Sequence, residues 1–424
     1  MTVVTLANRT GLNTPQRPYS LSRRLVVVGD SITAQGYYAV GGGYKYSNHG
    51  WWCHALAQLG WPLKVANVAA LSGRTVADTL ATFDAEVVPY NPSEIWALLG
   101  QNDVGNVAVA TTISRIDQFI ARCNALGARV VLGTVTPRTT MTTQIGNDIA
   151  DINRAIYERA RAGTILAFDA HGALRDTTSA TGQSLSALQI DGVHPNALGA
   201  YRIGTAAAYA LSSVYPRMDA YASSNTDNRT ASATSAQLLT NPMLTGAAGT
   251  VGTGGSGTCA TSWSLNRSSG SALTVAGAKT SDTVPRQREW QKMTFGGSPS
   301  GTEIIRFQQS LTVASFAGAL TLGTSAVRGR ATFKTASLPA TIQYVRLYIE
   351  CIDSVPAVTN NTQGLADSSY TQGELPTAEF SIETPEMVVP VGTVTLRVTV
   401  NVAFAAGAAS GDVYVCDPSV VVVA

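Results

Sequence analysis

A chain of 424 residues is long for one hydrophobic core, so two domains are the natural expectation. With 45% apolar residues it is no disordered tail, and with a net charge of +2 and no lysine–arginine run it lacks the basic stripe of a nucleic-acid groove. Charged residues amount to only 13%, about half the usual share, and Ala, Gly, Thr and Ser take their place, which suits a sheet-rich exported or particle-borne protein at least as well as a cytosolic one.

Met1 to Arg24 carries Pro15 and Pro18 and no continuous apolar core, so it reads as an irregular arm and not as a signal peptide. From residue 25 to about 216, apolar strands alternate with helical patterns. Expected strands are Leu25–Val28, Leu63–Val68, Glu94–Leu99, Arg129–Val135 and Thr164–Phe168. Expected helices are Trp51–Leu59, Thr75–Ala81, Ile113–Leu126, Ile145–Arg161 and Ala197–Leu211. This alternation predicts a parallel sheet covered by helices on both faces, with ligand sites beyond the carboxyl ends of the strands. Asn196 is placed to cap the last helix, and Gly60 and Gly127 to close two others in the left-handed region. No stretch reaches membrane-spanning length without polar interruption.

Composition changes after Pro216. Ser223 to Ser235 is rich in Ser, Asn, Thr and Ala, and Gly246 to Gly257 in Gly and Thr. Short alternating runs follow at Ile304–Gln308, Thr341–Glu350, Thr393–Phe404 and Asp412–Val415, which predicts antiparallel strands in a β-sandwich or jelly roll. All four histidines lie before the break. The five cysteines match neither a disulfide framework nor a zinc spacing. Cys53 and Cys123 read as small buried side chains, and Cys259, Cys351 and Cys416 leave room for one bridge. Arg286, Arg288 and Lys292 surround Trp290; a solvated strand face accounts for them better than a site for an acidic polymer.

Four segments carry the chemistry. Gly29-Asp30-Ser31-Ile32-Thr33 directly follows the apolar strand. Ser31 can stand at the first turn of a helix, where its hydroxyl is presented as a nucleophile and its N–H faces a developing anion. Alone, it reads better as an ordinary N-cap serine after a strand. Asp191-Gly192-Val193-His194-Pro195 sets an acid and a base three residues apart. Asp191 can hold one ring nitrogen of His194 while the other accepts a serine proton, provided the imidazole is at least partly neutral. Gly100-Gln101-Asn102-Asp103 ends another strand; Asn102 offers an uncharged amide donor to an oxyanion, and Asp103 orders the loop. In Leu71-Ser72-Gly73-Arg74-Thr75, Gly73 has a backbone N–H that can approach the same oxygen. The Ser31 N–H, the Gly73 N–H and the Asn102 amide make a three-donor hole.

These four segments, in this order, resemble the SGNH hydrolases, also called GDSL esterases. The nucleophile block matches Gly29 to Thr33, the glycine block Gly73, the glycine–asparagine block Gly100 to Asp103, and the last block Asp191 to His194. The resemblance covers roughly residues 22–215. It implies a three-layer α/β/α sandwich with a mostly parallel sheet. It also implies serine-dependent ester hydrolysis with no cofactor or metal, and it leaves the ester unspecified. The chain then divides into an arm (1–24), a hydrolase domain (25–216), a linking stretch (217–258) and a β-sandwich (259–424) for carbohydrate binding or assembly.

One stretch departs from the family pattern. Gly36 to Trp52 is longer than the minimal loop and rich in glycine and aromatic residues. Tyr37, Tyr38, Tyr44, Tyr46, Trp51 and Trp52 are candidates for a sugar-stacking substrate rim, or for packing against the arm or a neighbouring subunit. Arg138, after Thr136-Pro137, is a further rim candidate. Asp169 and His171 follow another strand; His171 competes with His194 as the base but lacks its local pattern. In the second domain, Trp263, Trp290, Tyr344 and Tyr348 are candidate sugar platforms or core. The segment Leu238 to Leu244 resembles, more weakly, the opening of modules on phage-tail and cell-surface proteins.

The expected activity is removal of O-acetyl groups from a polysaccharide, at the cell exterior or on a virion, with homo-oligomer or particle assembly as a partner role. A lipase or general carboxylesterase, and an inactive tail component, are the alternatives. Since every proposed catalytic residue precedes Pro216, a chain cut there is expected to keep turnover on a small soluble ester.

Overall fold

The structure, a computed structural model, describes residues 23–40, 43–215, 224–225, 237–282, 288–316, 320–366 and 379–423. The arm up to residue 22, most of 216–236, and Arg286 lie outside the described residues. The first half runs β1 (Arg24–Gly29), α1 (Ser31–Ala34), β2 (Tyr37–Val40), β3 (Gly43–Ser47), α2 (Trp51–Leu59), β4 (Lys64–Ala70), α3 (Val76–Glu86), β5 (Glu94–Leu98), α4 (Val109–Ala125), β6 (Arg129–Gly133), α5 (Thr143–Arg161), β7 (Leu166–Phe168), α6 (Ala170–Leu174) and α7 (Ala197–Leu211). Strands follow: β8 (Ala248–Val251), β9 (Gly255–Gly257), β10 (Cys259–Ser269), β11 (Thr274–Ser281), β12 (Glu289–Gly296), β13 (Glu303–Thr312) and β14 (Ala326–Ala336). The last are β15 (Ile342–Ile352), β16 (Val358–Ala366), β17 (Glu379–Glu383), β18 (Met387–Val388), β19 (Thr395–Phe404) and β20 (Asp412–Val423).

The chain forms two compact units that interleave in sequence: Met1–Thr33 with Leu63–Gln183, and Ala34–Pro62 with Ser184–Ala424. The first is the parallel α/β sheet, in the order β4-β1-β5-β6-β7. Its strands are continuous apolar runs because both faces are buried. Val26, Val28, Ile95, Ala97, Val130 and Leu132 share one core with Phe83 of α3, Phe119 of α4 and Ile149 of α5. The alternate residues Leu25, Val27, Trp96 and Val131 are also buried. Burial of each large side chain stabilises by roughly 1.5–3 kcal/mol. The register pairs Gly29 with Ala70 on one side and with Leu98 on the other. The carboxyl ends of β4, β1 and β5 therefore lie side by side.

The second unit contains an eight-stranded sheet, β2-β3-β16-β15-β19-β13-β10-β8, and a seven-stranded sheet built on β17-β14-β20-β12-β11-β9, with β18 on β14. Their apolar faces meet: Phe295 packs on Phe404 at 5.1 Å between ring centroids. At Gly329 a side chain would come within 2.8 Å of Ile349. The glycine–aromatic stretch is not a loop. It forms the β2–β3 hairpin, and β3 adds to β16 in parallel, Lys45 beside Gln363. Helix α2 lies against α7, where Gly204 permits the approach: a Cβ there would sit 2.6 Å from the Trp51 carbonyl oxygen. All five cysteines are free and buried, so the bridge allowed among Cys259, Cys351 and Cys416 does not form. Arg288 pairs with Asp282 and Glu379, each at 3.0 Å, and Lys292 with Asp412 at 2.9 Å, so the two described members of the basic cluster around Trp290 are engaged by carboxylates.

Two histidines of this unit are buried. His54 bonds the Asn48 carbonyl through Nε2 (2.8 Å) and meets Tyr201 edge-on. Burial holds the imidazoles of His49 and His54 down at about 4 each. The unfolded chain titrates them near 6.5 and so binds more protons between these values. Their contribution to stability is complete above pH ~6.5 and is lost as pH falls toward 4, by up to about 1.4 kcal/mol per pH unit for each. Melting curves from pH 7.5 to 4.5 should show Tm falling through this window, and His54→Phe should flatten the slope. A Tm independent of pH down to 4.5 would contradict the neutral-histidine core.

Candidate active site

Ser31, Gly73 and Asn102 are positioned by neighbouring strand ends of the α/β unit. β1 ends at Gly29, where no side chain fits: a Cβ would meet Thr33 Oγ1 at 2.4 Å and the Leu98 carbonyl oxygen at 2.8 Å. The chain turns at once into α1. The buried Asp30 carboxylate accepts the Ile32 N–H (3.0 Å), and the Asp30 carbonyl accepts the Thr33 N–H (3.1 Å). Asp30 thus holds the start of the helix, and Ser31, half-buried at its first position, does not serve as the cap.

After β4 the Leu71 N–H bonds the Gly29 carbonyl (3.3 Å), so this loop is tied to the end of the nucleophile strand. Gly73 adopts φ +77 with open space on its Cβ side. The left-handed backbone explains the glycine, and its exposure leaves the approach to its N–H open. Arg74 anchors the loop. Its guanidinium bonds both Glu86 oxygens (2.6 and 3.1 Å) and the Ala69 carbonyl (3.2 Å). The hydrogen bond from Arg74, with Thr82, holds the Glu86 carboxyl below its usual range against the opposing effect of burial. Thr75 and Asp78 form a capping box at the start of α3.

After β5, Asn102 donates one amide hydrogen to the Arg74 carbonyl (3.0 Å). An amide nitrogen has two hydrogens, so the second is available to an oxyanion. Asp103 does order the loop. It is fully buried, and its Oδ2 accepts the Val76 N–H at the start of α3 (3.0 Å). Burial pushes its carboxyl up. Asp103 therefore binds the Asn102 loop to the helix that follows Gly73. Arg138 points inward to the same loop, with Nη2 donating to the Gln101 carbonyl (2.6 Å). Arg138 is thus a brace for the peptide leading into Asn102, not a free rim cation. Arg74, Glu86 and Arg138 were legible as charges but not as braces, because their partners, the Arg74–Glu86 pair itself and the Ala69 and Gln101 carbonyls, are brought together only by the fold.

Asp191 and His194 belong to the other compact unit. Asp191 Oδ1 accepts the backbone N–H groups of Val193 (3.1 Å) and His194 (2.9 Å), while its Oδ2 accepts His194 Nδ1–H at 2.6 Å. Gly192 makes the bend at φ +91. The Ile190 N–H bonds the His194 carbonyl (2.8 Å), and Asn196 caps α7 through the Gly199 N–H (2.9 Å). Partial burial would raise the Asp191 carboxyl, but the three hydrogen bonds win and bring it to about 2. The acid is ionised at any working pH, and Nδ1 keeps its proton, which leaves Nε2 as the basic nitrogen. Asp169, by contrast, caps α6 through the Gly172 N–H (2.8 Å), and His171 follows β7, three strand spacings (~14 Å) from β1 in the sheet.

The aromatic rim divides. Trp51, Trp52 and Tyr46 are buried, not a substrate rim. Tyr46 stacks on Trp61 (5.2 Å) and meets Trp52 edge-on (5.2 Å), and Trp52 fills the space beside Gly36. Tyr37 and Tyr44 stack on each other at 5.1 Å, with Tyr44 exposed, and Lys45 lies over Tyr38. Trp263 and Trp290 are core as well; Trp263 stacks on Phe307 at 4.6 Å.

Two substitutions test the site. Asn102→Ala should lower kcat about 100-fold and KM little, since the donor acts on charge that develops in the transition state. A change confined to KM would make Asn102 a ground-state contact. Asp191→Asn should leave the melting temperature near wild type and cut kcat/KM by roughly 10³–10⁴. If Asp169→Asn is the damaging change instead, the acid is misassigned.

Residues 27–202 match the model of the GDSL-like lipase/acylhydrolase family. No curated protein sequence matches the chain. Among solved structures, an acetylxylan esterase from Geobacillus stearothermophilus is 20% identical over 46% of this chain and 94% of its own, with a TM-score of 0.36. A GDSL-like lipase from Bacteroides thetaiotaomicron is 19% identical over 46% of this chain and 89% of its own, with a TM-score of 0.37. The region similar to the GDSL-like lipase/acylhydrolase family spans the serine, glycine, asparagine and aspartate–histidine segments.

Proposed function

We propose that this protein is a serine esterase that removes O-acetyl groups from a carbohydrate polymer. The observation that carries the chemistry is the Asp191–His194 pair, an imidazole held at 2.6 Å by a carboxylate that two backbone N–H groups keep ionised. In the proposed cycle Ser31 Oγ attacks the ester carbonyl and His194 Nε2 takes its proton. The Ser31 and Gly73 N–H groups and the Asn102 amide receive the oxyanion. His194 then returns the proton to the departing sugar hydroxyl, leaving acetyl-Ser31. Water, deprotonated by His194, attacks the acyl carbon, acetate leaves, and Ser31 regains its proton.

The acyl size is inferred from the loops after β1, β4 and β5. Leu71 is their one exposed large aliphatic side chain among the described residues, too little apolar surface for a long chain. The carbohydrate reading is supported by the sandwich in the same chain, whose outer face carries hydroxyls, amides and arginines. A place of action at a glycan surface, outside the cell or on a virion, belongs to the same proposal. The test is initial rates on 4-nitrophenyl esters from acetyl to octanoyl, and acetate release from acetylated xylan. Expected are acetate release and a rate falling at least tenfold by hexanoyl. A preference for octanoyl would make the protein a lipase. No turnover of any ester, with Ser31 unlabelled by an organophosphonate, would make it an inactive binding protein.

A further inference from the structure

One residue outside the reacting groups is joined to two donors of the proposed oxyanion hole. Arg74 follows Gly73 directly, and its polar parts go three ways. Its N–H bonds the Leu71 carbonyl (3.3 Å) and closes the turn Leu71-Ser72-Gly73-Arg74, in which Gly73 takes the third position at φ +77. A positive φ at that position is what a type II turn requires. The Arg74 carbonyl accepts one amide hydrogen of Asn102 (3.0 Å). Its guanidinium reaches the Ala69 carbonyl at the end of β4 (3.2 Å) and both oxygens of Glu86 at the end of α3. The Gly73 N–H and the carbonyl that orients the Asn102 amide therefore lie on successive residues.

Leu71, Ser72 and Gly73 are exposed, so the turn has little packing of its own, and the buried Arg74 is its peg. The hold is bidentate: Nη1 and Nη2 meet Oε2 and Oε1 of Glu86 in a planar fork that a lysine cannot reproduce. Glu86 is fixed in turn. The Thr82 hydroxyl donates to its Oε2 (3.1 Å), and the Asn67 amide on β4 donates to its backbone carbonyl (2.8 Å). A continuous path of bonds thus runs from β4 through Glu86 and Arg74 to the Asn102 amide.

We infer that Arg74, clamped by Glu86, is a positioning residue of the oxyanion hole: it fixes the turn that presents the Gly73 N–H and aims the second Asn102 hydrogen. In this role it touches neither the ester nor the nucleophile, and the role rests on the esterase reading of the same site. Donors that slip from their place lose most where charge develops, in the transition state, and little where substrate merely binds. A residue that serves stability alone would instead change the amount of folded protein and leave the kinetics of the folded fraction as they were.

The experiment compares wild type, Arg74→Lys, Glu86→Gln, Asn102→Ala and the double variant Arg74→Lys/Asn102→Ala, all as the full chain. It reads kcat and KM for 4-nitrophenyl acetate, Tm, and the Ki of an alkyl trifluoromethyl ketone, whose adduct with a serine carries a tetrahedral oxyanion. Arg122→Gln is the control, since Arg122 ties α4 to α3 at the Leu80 carbonyl (2.7 Å) and at Asp84. Arg74→Lys should lower kcat about tenfold or more and raise Ki by a similar factor, with KM within about twofold of wild type. Glu86→Gln should show a smaller loss of the same kind. Arg122→Gln should lower Tm and keep kcat. Once Asn102 is alanine, adding Arg74→Lys should cost no more than about threefold, because its main route to the oxyanion is gone. A loss that multiplies in full with that of Asn102→Ala, or that falls on KM alone, would make Arg74 a general support of the fold. If Arg74→Lys does not fold, Glu86→Gln decides, and an unchanged kcat and Ki in that protein would overturn the role. An active wild type with kcat intact in Arg74→Lys defeats the positioning role alone. A wild type that turns over no ester and takes no organophosphonate label defeats the esterase reading and the positioning role with it.

Discussion

Ser31→Ala is expected to lower ester turnover by about 10⁴-fold or more, the scale on which removal of a serine nucleophile acts. The change deletes one oxygen from a half-buried side chain at the first position of α1. The helix start is held by Asp30, through its carboxylate to Ile32 and its carbonyl to Thr33, and the strand exit by the close fit at Gly29. These survive the substitution, so stability should move by less than about 1 kcal/mol. The checks are burst titration with 4-nitrophenyl acetate, labelling by an organophosphonate, and a melting curve. A burst of one acyl group per chain in wild type, absent in S31A at the same Tm, is the expected result. Residual activity above about 1% in S31A protein free of wild type would require another nucleophile. An equal loss of activity and of fold would make Ser31 a structural residue.

A chain cut at Pro216 is expected to fail to fold, which reverses what the confinement of the catalytic residues to the first half suggests. The cut passes through the second compact unit, which joins Ala34–Pro62 to Ser184–Ala424. It removes β16, the partner of β3, and β17 with the Ser381 carbonyl that accepts the Trp61 indole N–H at 2.9 Å. The β2–β3 hairpin would be left as an isolated two-stranded ribbon, marginal at best in water. Buried aromatics such as Tyr46 and Trp61 stabilise by roughly 1.5–3 kcal/mol each, and their partial exposure with the lost strand pairing approaches a total stability of about 5–15 kcal/mol. Expression of residues 1–216 should therefore yield aggregated protein, or protein with no cooperative melting transition. A soluble fragment that melts cooperatively and turns over 4-nitrophenyl acetate at the wild-type rate would show that hairpin and α2 hold without the sandwich.

The chemistry-bearing segments are local, and for that reason they could be read. Asp191 and His194 need only one turn of chain and Gly192 to meet, and the capping atoms that fix them come from residues 188 to 199. The alternation of apolar runs and helical patterns is equally local; it foretold the five parallel strands and put the ends of α2 and α7 where they lie. Periodicity also announced the alternating strands of the sandwich, β13, β15, β19 and β20.

Other features depend on which distant segments become neighbours. Nothing around Tyr37 to Trp52 states that its hairpin will add to β16, more than 300 residues away, and aromatics that suit a sugar rim in isolation become core once β16 and β17 cover them. Arg138 stood as a rim candidate until strand order brought its guanidinium to the Gln101 carbonyl, and only the fold joins the Arg74 guanidinium to the Ala69 carbonyl and the Glu86 carboxylate. The sequence by itself determined the reacting groups and the elements that carry them, because dihedral preference, capping and apolar period act over a few residues. The tertiary structure decided which groups are buried, which charges are braces, and that the second unit begins at Ala34, because burial and long-range strand pairing belong to the whole chain.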